Sequence, residues 1–274
     1  MSGDFAQKRR ASRHPAHCLH DDGFARLERL AARRPAWLAP QVTLAWHLRQ
    51  RDGRRVREIA DAIAPALAAR SDRSGRRMAA RLTLACAEVA SLALEIAEAD
   101  RLLADAKALF EGVDDAIGVG DCLLLDAQNC RIWGRGDPIK ASEHAHQQLL
   151  AQGDEVREGI ALAELATGMP GLTAARATRM EQLESWLAAR PEIALRGPEL
   201  YASIPRGSVE FYAGHFADIV SHLSVNMQRA SVLGLPRLHV HLALNCAIAH
   251  ESLNDILAAI TLRETALATS REHG

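Results

Sequence analysis

Residues 123–154 read LLLDAQNCRIWGRGDPIKASEHAHQQLLAQGD. The apolar run Leu123–Trp133 meets the turn Gly134-Arg135-Gly136-Asp137-Pro138, and a second run extends to about Ala151. Pro138 suits the first turn of a helix, where its missing N–H has no intrahelical acceptor to lose. Gly153-Asp154 then closes the unit. The stretch reads as two helices joined by a short turn. Such a hairpin cannot bury its apolar faces alone, and stacked neighbours give it a continuous core.

The same rhythm spreads in both directions. Val42, Ala45, Trp46 and Leu48 precede the turn Arg51-Asp52-Gly53, and Val56, Ile59, Ala60, Ile63 and Leu67 follow it at helical spacing. Ser71–Gly75 breaks the chain. Met78 to Phe110 is too long for one ordinary helix, so a bend or break is expected near Ser91–Glu98. Asp114-Asp115 ends one helix and starts the next. Further helices are expected over Val156–Thr167, Leu172–Ala189, Asp218–Leu233, Leu238–His250 and Ile256–Glu272. The expected organisation is a flexible tail at 1–22, a first block of helical repeats at 23–189, an irregular link at 190–207 and a second block at 208–274. Pro191, Gly197, Pro198, Pro205 and Gly207 motivate the link.

Composition supports this reading. Apolar residues make up 48% and aromatic residues only 4%, with Ala and Leu dominant. Those residues favour helix, and strand formers are scarce. The fold expected is all-α. The net charge of −1 conceals an asymmetry: residues 1–81 hold 18 basic and 8 acidic side chains, and residues 82–274 hold 15 and 26. A basic amino-terminal part could bind phosphates; the plainer expectation is that it contacts the acidic remainder. Cys18, Cys86, Cys122, Cys130 and Cys246 form no C-x-x-C, and four of them lie in apolar helical stretches. They read as small buried residues in a reducing compartment. No apolar run reaches about 18 residues, so a soluble, cytoplasmic protein is expected, with no membrane partner.

Two internal matches suggest repetition at 37 residues. Asp100-Arg101-Leu102-Leu103-Ala104 pairs with Asp137-Pro138-Ile139-Lys140-Ala141, and Asp218-Ile219-Val220 pairs with Asp255-Ile256-Leu257. Gly136-Asp137 with Ala141, Gly214 with Ala217, and Leu244–Asp255 together resemble the tetratricopeptide repeat (TPR). The Trp, Tyr and Pro positions of that family are mostly missing, so the repeats are degenerate. The resemblance covers about residues 41–274 and implies a right-handed α-solenoid of TPR-like helix pairs with a concave groove. Ala249–Asp255, Ala266-Leu267-Ala268 and Arg271-Glu272-His273-Gly274 also look like the helical repeats ahead of bacterial GGDEF diguanylate cyclase domains. That resemblance implies a sensory or dimerising module of a cyclic di-GMP signalling protein, continuing past Gly274. The chain has no GGDEF or GGEEF motif, so no catalytic activity is carried over.

Candidate chemistry is sparse. His239 and His241, like His144 and His146, stand two residues apart, on different helix faces. His215 and His222 share a face without a third ligand. His14, His17, Cys18, His20, Asp21 and Asp22 are dense enough for zinc but fall in the expected tail. Gly118-Val119-Gly120 completes no phosphate loop. Trp37, Trp46, Trp133 and Trp186 read as filling between helices. No catalytic, cofactor-binding or metal residue is assigned, and no cofactor. The expected function is a regulatory scaffold, not an enzyme. Its expected partners are a protein or peptide in the groove, a second copy as a homodimer, or a small-molecule signal. The alternatives are a stand-alone TPR-like adaptor and a helical nucleic-acid-binding protein using the basic part; nucleic acid is the less favoured partner.

Overall fold

The computed structural model describes residues 14–169 and 171–273, and Pro170 lies outside it. The described residues form fourteen α-helices and no strand. The first four are α1 (Asp21–Arg33), α2 (Leu38–Leu48), α3 (Gly53–Ala68) and α4 (Arg73–Leu92). Next come α5 (Ile96–Glu111), α6 (Ala116–Trp133), α7 (Pro138–Leu150), α8 (Glu155–Gly168) and α9 (Ala174–Ala189). The last are α10 (Pro191–Ala194), α11 (Pro198–Ala213), α12 (Phe216–Val232), α13 (Pro236–Ser252) and α14 (Ile256–His273).

The helix starts follow local chemistry. Side chains of Asp52, Asp72, Asp115, Asp137, Asp154 and Thr173 each accept a backbone N–H of the helix that follows. Each cap satisfies an otherwise orphaned donor and is worth about 1 kcal/mol. From Leu94 onward most turns share a second device, a left-handed residue about every twenty positions. Leu94, Asp114, Gly134, Gly153 and Gly171 occupy it in the first part, and Gly214, Gly234 and Asn254 in the last. Leu94, at φ 59°, makes the break expected between Ser91 and Glu98. One helix pair therefore spans about forty residues, from Leu94 to Gly134 and from Gly214 to Asn254.

This period corrects the 37-residue matches. Asp137 caps α7, whereas Asp100 lies inside α5. Asp255 accepts the N–H of Ala258 at the start of α14, whereas Asp218 lies inside the first turn of α12. The matched residues share composition and not position.

Consecutive helices pack on one another, and α2, α4, α6, α8, α11 and α13 also touch in that order. They form an inner layer, and α3, α5, α7, α9, α12 and α14 lie outside it. Parts of the inner helices are buried all round. In α8 every residue from Arg157 to Ala166 is buried. Leu48, Val56, Ile63 and Leu82 fill the first core cluster, and Trp46, Leu84, Phe110 and Cys122 the second. A third joins Leu149, Ile160, Leu183, Leu200, Leu223 and Leu242.

That third cluster runs unbroken past residues 190–207, and the expected link is mostly helical. Pro191 and Pro198 each open a helix, where proline is tolerated. Of the prolines in 190–207, Pro205 alone sits in a helix interior. Gly118 and Gly120 also lie inside a helix, α6. A Cβ on either would collide with Phe110 or Leu149, so both serve close packing. No described helix is long and apolar enough to cross a membrane.

Candidate functional site

A ladder of charge runs along the inner layer. Arg49 of α2 pairs with Glu88 of α4 at 2.6 Å, and Gln50 donates to the same carboxylate at 2.5 Å. Arg81 of α4 and Arg157 of α8 converge on Asp121 of α6, the latter at 2.8 Å. Arg131 of α6 pairs with Glu164 of α8 at 2.6 Å. Ser91 donates to Asn129 at 2.8 Å between the same two inner helices as Arg81 and Asp121. Burial alone would raise the pKa of Asp121, but Arg157 and Arg81 outweigh it and hold the carboxyl well below its ordinary value. Glu88 is lowered in the same way, with burial opposed by Arg49 and Gln50.

Part of the basic amino-terminal region is occupied by ion pairs to the rest of the chain. Arg57, Arg73, Arg77 and Arg81 reach Glu95, Asp114, Asp115 and Asp121 respectively. Each acid belongs to the acidic remainder of the chain.

Residues 14–20 thread along this ladder, and the corresponding part of the expected flexible tail is ordered. Residues 1–13 lie outside the described residues. The segment is neither helix nor strand, so its carbonyls need outside donors. Trp46 Nε1 donates to the Ala16 carbonyl at 3.0 Å. Arg157 donates to Pro15 at 2.9 Å, Arg51 to Leu19 at 3.1 Å, and Arg49 reaches the His17 carbonyl at 3.5 Å. The His17 ring stands edge-on to Trp46 and Tyr201, with centroids 6.0 and 6.1 Å away. It therefore bridges α2 and α11 across the inner face. Its Nδ1 is 3.9 Å from Asp121, too far for a hydrogen bond. Burial keeps the imidazole below its ordinary pKa.

Trp46 is fully buried, with the guanidinium carbons of Arg49 and Arg81 at 3.7 and 4.6 Å from the ring centre. Trp186 packs in the core and donates to Glu158 at 2.8 Å. Trp37 departs from the expected filling role: it is 53% exposed and lies under Arg34 instead of between helices.

The two ends of the array meet. The Arg51 guanidinium, from the end of α2, lies over Gly234 at the turn before α13. A cavity of about 420 Å³ between the ends is bounded by Phe24, Arg55, Ser231, His239 and Glu272. A second, smaller cavity beside Tyr201 is lined by Arg131, Arg237 and His241.

The metal candidates are dispersed. His14 lies 3.5 Å from Asp115, and His17 turns to its aromatic neighbours. His222 meets Glu210 at 3.0 Å, and His239 meets Ser231 at 3.0 Å. No three His, Cys, Asp or Glu side chains converge among the described residues. The five cysteines are unpaired, and burial raises the Cys18 and Cys86 thiols to about 11.

Sequence reasoning missed the ladder, although a signal was present. Arg81 and Glu88, like Arg157 and Glu164, are seven residues apart inside apolar helical stretches. That spacing puts both charges on one face of a helix whose other faces are apolar. No protein-family model matches the chain, and no curated protein matches it.

Proposed function

We propose that the chain is a regulatory binding scaffold whose inner face grips an extended polypeptide segment by its backbone. One observation supports this reading above others: four side-chain donors reach the carbonyls of Pro15, Ala16, His17 and Leu19. Every peptide carries such carbonyls, so the same donors would serve a partner's segment. Residues 14–20 then act as an internal occupant that a partner displaces.

We further propose that the array is a right-handed α-solenoid of TPR-like pairs. Helix pairing and the layered inner face support it, although the pair length of about forty residues exceeds the 34 of the TPR. The resemblance of the closing helices supports a finer assignment, to the sensory and dimerising part of a bacterial cyclic di-GMP signalling protein. On this reading the chain itself has no catalytic role. Fusing it ahead of a GGDEF domain should make cyclase output respond to groove occupancy, and an unresponsive fusion would count against that assignment.

Fluorescence polarisation tests the groove. A labelled peptide of residues 14–20 should bind the full chain weakly, in competition with the internal copy. His17→Ala in the chain weakens that copy, so the peptide should bind at least several-fold tighter. Equal binding by the two chains would sink the displaceable-occupant reading.

A further inference from the structure

The smaller cavity lies between α6, α8, α11 and α13, opens to solvent and has a volume of about 50 Å³. Gln50, Gln128, Arg131, Glu164, Arg237 and His241 supply its polar wall, and Ile132 and Ile204 its apolar wall. Its charges are unevenly matched. Arg131 is already paired with Glu164. Glu88, the strongest acidic influence on Arg237, is occupied by Arg49 and Gln50. Arg237 makes no ion pair among the described residues, and its Nη1 is shut off from water with no hydrogen-bond partner. The Arg237 side chain is partly buried, and a buried polar atom left without a partner is costly and uncommon.

His241 adds no further positive charge, since burial lowers its pKa to about 4. The lining therefore holds one positive charge in excess at neutral pH. A single carboxylate would balance it and match the planar guanidinium, whereas a phosphate dianion would leave a negative surplus beside Glu164. The space is enough for a carboxylate head and too small for a nucleotide. Ile132, 45% exposed at the mouth, offers contact to a short apolar tail.

We propose that this cavity binds the carboxylate of a small apolar acid, with Arg237 as its charge partner and Gln128 as an amide donor. The site is independent of whether residues 14–20 are displaceable.

Amide chemical-shift titration of the full chain with butyrate tests it. Saturable binding is expected, with Kd on the order of 1 mM for so small a ligand. Butyramide, without the charge, should bind at least tenfold more weakly. Arg237→Met should lose at least tenfold in butyrate affinity without a lower Tm, because it removes a buried nitrogen that has no partner. Gln128→Leu should weaken binding about threefold, and Arg263→Met, on the outer helix α14, should leave it unchanged. Absence of saturable butyrate binding, or full binding by Arg237→Met, would overturn the site. Tighter binding of inorganic phosphate than butyrate would overturn the carboxylate assignment.

Discussion

The indole N–H of Trp46 donates to the carbonyl of Ala16 at 3.0 Å, across thirty residues of chain. The ring is flanked by the guanidinium groups of Arg49 and Arg81. Trp46→Phe keeps most of the packing and deletes the donor. A loss of about 1 kcal/mol in stability is expected, with faster amide exchange confined to residues around 14–20. Unchanged exchange there would show that the bond does not hold the segment.

Asp121 is the shared acceptor of two buried arginines. Asp121→Asn keeps the shape and strands Arg81, while Arg157 keeps Asp154 at 2.8 Å. Removing one partner of a buried pair costs about 3–5 kcal/mol. A correspondingly lower urea midpoint is expected; a midpoint within experimental error of the parent would show that the ladder is not structural.

Acid should destabilise the fold through buried histidine as well as carboxylates. His47 is buried beside Arg49 and Arg51, and burial first, then those charges, lowers its pKa from 6.5 to about 3. Between those values the unfolded chain binds a proton that the folded chain refuses, so stability falls as pH falls. His47→Gln should reduce the pH slope of unfolding free energy between 6.5 and 4 by about one proton. An unaltered slope would assign the acid sensitivity to other groups.

Leu94 adopts φ 59° with its side chain 68% exposed. A non-glycine residue there carries steric cost and little compensating burial. Leu94→Gly should raise stability by up to about 1 kcal/mol, read as an increase in Tm. A decrease would mean that the exposed leucine makes a contact in a partner or a second copy.

The helix starts were legible in the sequence because capping is local. Asp52, Asp115, Asp137 and Asp154 stand directly before the helices that they cap. The break at Leu94 could only be bracketed, since an exposed leucine gives no turn signal. The 37-residue matches failed because aspartate is both a cap and a surface residue, and identity alone does not separate the two uses. Prolines 191 and 198 looked like breakers and instead begin helices. The path of residues 14–20 was hidden for a different reason: its partners are distant, with Arg157 standing 142 positions from Pro15. Those contacts exist only once the inner layer is assembled.

Gly234 turns at φ 61°, and the Arg51 guanidinium rests where any side chain on it would stand. The same arginine reaches the Leu19 carbonyl and Asp21. An open coil of helices stretches like a spring, but a coil pinned end to end is stiff until the pin is drawn. Here the pin is also tied to the amino-terminal segment. If residues 14–20 are displaced as proposed, Arg51 loses its Leu19 acceptor, and the exchange of segments would be felt as a change of compliance where Arg51 meets Gly234.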